Sequence, residues 1–204
     1  DFKRVIDPMI KFGVKFYPKN KFTLPISLKG SKSLKPINYF EKKGSAQVKS
    51  SIMLAALNTD GTTKIKAKKS RNHTENLFKY LKIPISIKEN KSIDYIKMKK
   101  PKNLRSFEYK VPSDISSSLF FLSLAILTKN SQINIKNVNI NFSRTGALDI
   151  LKLMGVKTQF KNKKKYKGED IADILIRTPK KIKPINCPIK FNSRAIDEFL
   201  IIFL

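Results

Sequence analysis

Leu54-Ala55-Ala56-Leu57-Asn58-Thr59-Asp60-Gly61-Thr62-Thr63-Lys64-Ile65 has a counterpart seventy residues downstream, Leu124-Ala125-Ile126-Leu127-Thr128-Lys129-Asn130-Ser131-Gln132-Ile133-Asn134-Ile135. Each stretch reads as the end of an apolar helix, a polar turn and an alternating strand. Ser-Arg follows each strand, at Ser70-Arg71 and Ser143-Arg144, and opens a second amphipathic helix. Those helices carry Leu77, Phe78 and Leu81 in one copy and Ile150, Leu151 and Met154 in the other. A strand pair comes next, Ile83 to Met98 and Val156 to Arg177, then a further extended piece, Leu104 to Val111 and Ile182 to Ile189. The repeating unit is therefore helix–strand–helix–strand–strand–strand, about 70–80 residues long.

Working outward, the amino-terminal segment matches the back end of a third copy. Asp7, Phe12-Gly13-Val14 and Leu34-Lys35-Pro36-Ile37 fall where Asp149, Met154-Gly155-Val156 and Ile182-Lys183-Pro184-Ile185 fall. Asp197-Glu198-Phe199-Leu200-Ile201-Ile202 begins a fourth. This register leads us to expect a piece of a larger protein, with two complete units flanked by two partial ones. A half-helix at the end buries poorly, so the isolated chain is expected to be unstable.

The 204 residues include 43 basic and 15 acidic side chains, a formal net charge of +28. A hydrophobic fraction of 41% with 14 Phe excludes a wholly disordered polybasic tail, which would lack material for a core. One Cys excludes a disulfide framework within the chain, and one Cys with one His argues against structural zinc. No apolar run reaches the roughly 18 residues of a membrane span and no signal-peptide pattern is present, so a cytoplasmic setting is expected. The charge invites a nucleic-acid reading, because basic faces gain affinity by releasing counterions. Its make-up weakens that reading: 37 of the 43 are Lys and six are Arg, the residue that grips phosphate and guanine edges in bidentate fashion. Solvated surface is the preferred account of the Lys, and a Lys-rich nucleic-acid-binding α+β module is the competing one.

Aligning the copies puts Gln47, Ser117 and Asp197 at equivalent positions, each at the start of a first helix. Such termini present unpaired N–H groups and a partial positive charge, which suits anions. Gly44-Ser45-Ala46-Gln47 opens one of them with small residues, and Ser45 doubles as an ordinary N-cap. Ser70-Arg71-Asn72-His73-Thr74-Glu75 starts the second helix of the same unit, where Arg71 and exposed amides suit a phosphate or carboxylate. Asp197-Glu198 precedes an apolar run; a carboxylate there fits either general acid/base work or complementing the helix dipole. Ser143-Arg144-Thr145-Gly146, the equivalent of the Arg71 segment, fits a structural role equally well.

Gly44-Ser45-Ala46-Gln47-Val48-Lys49-Ser50-Ser51 and Ser70-Arg71-Asn72-His73-Thr74-Glu75 resemble segments of the 5-enolpyruvylshikimate-3-phosphate synthase family. So do Val111-Pro112-Ser113-Asp114-Ile115-Ser116-Ser117, Ser143-Arg144-Thr145-Gly146 and Ala195-Ile196-Asp197-Glu198, in order along nearly the whole chain. The resemblance implies an α+β fold of repeated βαβαββ units, of the inside-out α/β barrel type, in two domains. Residues 1–111 would be part of the first domain and 112–204 part of the second, each incomplete, hinged near Val111 to Asp114 and closing on substrate. It implies a transferase of the shikimate pathway, on the route to chorismate and the aromatic amino acids. That enzyme carries the enolpyruvyl group of phosphoenolpyruvate to the 5-hydroxyl of shikimate 3-phosphate and releases phosphate, without metal or organic cofactor. By motif, Ser45, Ala46, Gln47, Ser70 and Arg71 would bind substrate, and Asp197 would touch it as proton acceptor. The implied partners are those two small anions rather than nucleic acid or a membrane, and the full-length protein would be a monomer. The family's Gly-Asn-x-Gly-Thr and Lys-Glu-x-Asp-Arg segments are not in these 204 residues, so the chain alone is expected to be inactive.

Overall fold

The computed structural model describes residues 2–203, which form two compact units, one up to Ser106 and one from Phe107. The first unit runs α1 (Lys3–Phe12), β1 (Lys15–Tyr17), β2 (Ser27–Lys29), β3 (Asn38–Glu41), α2 (Ala46–Ala56), β4 (Thr62–Lys68), α3 (His73–Tyr80), β5 (Ile85–Glu89) and β6 (Ile93–Lys99). The second runs α4 (Ile115–Leu127), β7 (Gln132–Asn139), α5 (Gly146–Leu153), β8 (Thr158–Tyr166), β9 (Glu169–Arg177), α6 (Asn192–Ala195) and α7 (Phe199–Ile202).

The internal repeat is visible in the strand order. β4, β6 and β5 lie side by side in that order, all antiparallel, and β7, β9 and β8 do the same. In each copy the third strand of the run takes the central place. β3 adds to the first sheet in parallel with β4, and α2 is the crossover that a parallel pair requires. The second copy keeps only a trace of that pairing, a parallel bridge from Ser113 to Val138. α1 with the β1–β2 hairpin matches α5 with β8–β9, and Gly13 and Gly155 stop the two helices at left-handed φ of 104° and 92°.

Each unit has its own core. α2 and β4 place Ile52, Met53, Ile65 and Ala67 around Phe12, Phe78, Ile96 and Met98 in the first. Ile115, Leu119, Leu122, Ile150, Ile174 and Ile176 fill the second. Strand alternation explains much of the surplus Lys. Thr63, Ile65 and Ala67 point inward from β4 while Lys64 and Lys68 point to solvent, and Lys97 and Lys99 do the same on β6. The β8 run Lys163-Lys164-Lys165 is wholly exposed.

Three details differ from the sequence reading. Residues 107–111, assigned to the first domain, attach to the second unit instead. The Tyr109 ring packs 5.5 Å from that of Tyr166, and the Lys110 amide donates to the Tyr166 hydroxyl at 2.9 Å. Leu104 to Val111 and Ile182 to Ile189 form no ladder; Pro184 and Pro188 lack the N–H donors that a ladder in the latter would need. Lastly, β7 and β8 each bulge toward a common anchor. Asn137 and Asn162 both sit at φ 51°, and Asp173 on β9 accepts from the Asn137 amide and the Asn162 side chain, each at 2.8 Å. Those two bonds hold the Asp173 carboxyl below its ordinary range.

Candidate active site

In the first unit the chain enters α2 through a fixed loop. The Glu41 carboxylate accepts from the Lys43 and Gly44 amides at 2.8 and 2.6 Å, and Gly44 takes φ 75°. A Cβ on Gly44 would stand 3.3 Å from the Lys69 carbonyl, so glycine is what lets this loop lie against the entry to Ser70-Arg71. Ser45 caps α2, accepting weakly from the Val48 amide at 3.4 Å. Gln47 is exposed in the first turn of the helix, and the Arg4 guanidinium from α1 donates to its side-chain oxygen at 2.5 Å.

The two segments singled out from sequence meet side by side. Ser50 and Thr74 share a hydroxyl hydrogen bond of 2.6 Å, and the Lys49 ammonium lies 2.5 Å from the Glu75 carboxylate with both side chains buried. With the Gly44–Lys69 approach, α2 and α3 are tied near their amino-terminal ends. The outcome is a helix-start with its amides, Ser45, Ser70 and Arg71 in one neighbourhood, a setting for a phosphate or carboxylate. The Ser70 hydroxyl is buried and has no hydrogen-bond partner among the described residues. Beside the Ser45 end lies a concavity of about 770 Å³ lined in part by Arg4, Lys11, Lys42 and Lys43, whose charges favour an anion. Ser70 and Arg71 do not line it.

In the second unit, Asp197 lies in the three-residue turn joining α6 to α7 and is exposed, whereas Glu198 is 3% exposed. Asp114 caps α4, accepting from the Ser117 amide and hydroxyl at 2.8 and 2.9 Å. Burial pushes the Asp114 carboxyl upward; the Ser117 donors and the Arg144 guanidinium outweigh this and hold it below its ordinary value. Arg144, the repeat equivalent of Arg71, pairs with Asp114 at 2.9 Å, so its work within this unit is structural. Among the described residues no group of three His, Cys, Asp or Glu side chains is placed to hold a metal, and no helix is long and apolar enough to cross a membrane.

The model of EPSP synthase (3-phosphoshikimate 1-carboxyvinyltransferase) matches residues 2–204. The chain belongs to the EPSP synthase family. A 3-phosphoshikimate 1-carboxyvinyltransferase from Petrotoga mobilis is 40% identical over 202 residues, which are 98% of this chain and 46% of that protein. The solved EPSP synthase from Acinetobacter baumannii superposes with a TM-score of 0.81 at 35% identity, covering 97% of this chain and 44% of that one. The enolpyruvyl transferase NikO from Streptomyces tendae, at 15% identity and a TM-score of 0.63, shares the fold. The chain thus spans about half the length of the EPSP synthases it matches, and its α+β architecture is that of the enolpyruvyl transferases.

Two contributors to these sites were missed in the sequence of this EPSP synthase family member. Arg4 lies outside any motif, 43 residues from Gln47, and nothing local marks it. Lys49 sits inside the Ser-Ala-Gln-Val-Lys-Ser segment, but a helical Lys reads as surface until its partner is known. Gly146 opens α5 without left-handed φ, so close packing rather than backbone freedom accounts for the glycine. A Cβ there would stand 2.7 Å from the backbone of Arg194. Gly146→Ala is therefore expected to lower the melting midpoint by several degrees, an overpacking cost of about 1–3 kcal/mol. Gly30→Ala, with nothing within 4 Å, is expected to leave it unchanged.

Proposed function

We propose that this chain is part of a 3-phosphoshikimate 1-carboxyvinyltransferase acting in the cytoplasm as a monomer, its two units belonging to the two enolpyruvyl transferase domains. The 5-hydroxyl of shikimate 3-phosphate attacks C2 of phosphoenolpyruvate. C3 of phosphoenolpyruvate takes up a proton as the tetrahedral intermediate forms, and the intermediate then loses phosphate and a C3 proton as the vinyl ether forms, with no cofactor called for. Ser45, the Ala46 amide and Gln47 hold shikimate 3-phosphate, and Ser70 and Arg71 take its phosphate. Asp197 accepts the proton of the attacking hydroxyl.

The observation that carries this reading is the tie between α2 and α3. It brings the two most specific segments of the family's sequence side by side, which supports a shared site for the substrate's phosphate. The test is phosphate release by the whole protein from shikimate 3-phosphate and phosphoenolpyruvate. Turnover is expected, with Gln47→Ala raising KM for shikimate 3-phosphate by about tenfold, the loss of a charge-assisted or bidentate contact. A whole protein that folds and releases no phosphate overturns the reading. The 204 residues alone are expected to show no turnover.

A further inference from the structure

The reading of Asp197 as proton acceptor raises a question of how its carboxylate is held. α6 and α7 have four residues each, too short to be stiff by themselves. The turn must be fixed by what its neighbours touch, and both flanks are docked. Upstream, the Arg194 guanidinium stacks 3.6 Å over the Phe142 ring and donates to the Phe142 carbonyl at 2.7 Å. It also reaches the Thr145 hydroxyl at 3.1 Å and the Asp149 carboxylate at 2.8 Å. Downstream, the buried Glu198 carboxylate accepts from the Ser116 hydroxyl on α4, and Arg144 donates to that same hydroxyl. Arg144 lies 3.9 Å from Glu198 and is itself fixed by Asp114. The Glu198 backbone closes the turn, its amide donating to Ala195 and its carbonyl accepting from Ile201 and Ile202.

We infer that Glu198 is a positioning residue for Asp197: its Ser116–Arg144–Asp114 anchor fixes the turn from which Asp197 presents its carboxylate to the attacking hydroxyl. Adjacent carboxylates thereby take opposite tasks, one buried and bonded to hold the backbone, one exposed toward solvent. Glu198 does not touch substrate in this account. Arg194 supports the same turn from its other side, bonding Phe142 and Thr145, while Arg144 between those two residues faces Glu198.

This inference rests on the synthase reading, so its test carries a control for that reading. Single and paired variants of the whole protein are assayed per folded molecule. Glu198→Ala is expected to lower kcat by about 10–100-fold, the effect of an ångström-scale misplacement, with KM for shikimate 3-phosphate within about threefold of the parent. Glu198→Gln keeps an acceptor for Ser116 and is expected to recover much of that loss. In an Asp197→Asn background, Glu198→Ala is expected to reduce kcat little further, because the group it positions is already disabled. Ser116→Ala removes the donor and leaves the carboxylate, and it carries the test if Glu198→Ala does not fold. A kcat for Glu198→Ala or Ser116→Ala within about threefold of the parent, or a loss that multiplies undiminished through Asp197→Asn, overturns the inference. If Asp197→Asn alone leaves turnover intact, the synthase role of Asp197 fails instead, and that single variant shows it.

Discussion

Lys49→Met is expected to destabilise the protein by about 3–5 kcal/mol, the usual result of removing one partner from a buried ion pair. The Lys49 and Glu75 side chains are 0% and 4% exposed, and their Nζ to Oε1 distance is 2.5 Å. The pair is close but poorly supported. The ammonium makes no well-directed hydrogen bond, and the second Glu75 oxygen has no hydrogen-bond partner among the described residues. Deleting Lys49 would leave a carboxylate inside the protein with its desolvation uncompensated. A fall of the melting midpoint by more than about 10 °C follows for a unit of this size. Deleting both charges should behave differently, because the cost lies in the stranded partner. Lys49→Met with Glu75→Leu is expected to recover most of the loss, since apolar replacements of similar volume often match or exceed a buried pair. Circular dichroism melts of the parent, the single variant and the double variant decide it. A double variant as unstable as the single would show that the packing of α2 on α3, not the charge, is what Lys49 supplies.

Burial of Lys49 also marks where sequence reading stops. The repeat was legible because it rests on local periodicities, 3.6 residues in α2 and α4 and two residues in β4 and β7, recurring at one spacing. Ser45 as a helix cap was legible for the same reason, since a cap is a contact across three residues. Partnerships across long separations were not. Arg4 meets Gln47 across 43 residues, and Ser116 meets Glu198 across 82. Glu75 illustrates the ambiguity: in the first turn of α3 it satisfies the dipole rule as a solvated residue would, yet it is buried. The bulges were hidden likewise, because an Asn that tolerates left-handed φ looks like any polar strand residue until Asp173 is seen to hold both.

One surface bears on why these units would not act alone. On α4, Phe120, Phe121, Leu124 and Leu127 recur along one face, and each is well over half exposed. Soluble proteins seldom leave a contiguous apolar stripe of this kind uncovered. The chain spans about half the length of the relatives it matches.

Asp197→Asn should cut kcat by about 10²–10⁴-fold, the range a positioned proton acceptor contributes, while the fold stays intact. The amide is isosteric with the carboxylate but is not a base, so the 5-hydroxyl would have to lose its proton to water. Binding should change much less, because shikimate 3-phosphate is assigned to Ser45, Gln47, Ser70 and Arg71, and KM should move only severalfold. Asp197 is exposed in its turn and Asn keeps its size and an acceptor oxygen, so the melting midpoint should hold within a degree or two. Glu198→Asn, one residue along, makes the contrast. It shortens a buried, bonded side chain and should lower stability as well as turnover. Steady-state kinetics beside thermal melts separate the two cases: a large kcat loss at unchanged stability assigns proton transfer to Asp197. Equal kcat for parent and Asp197→Asn would remove it from the chemistry, leaving Asp197 as a polar residue at the start of a short helix.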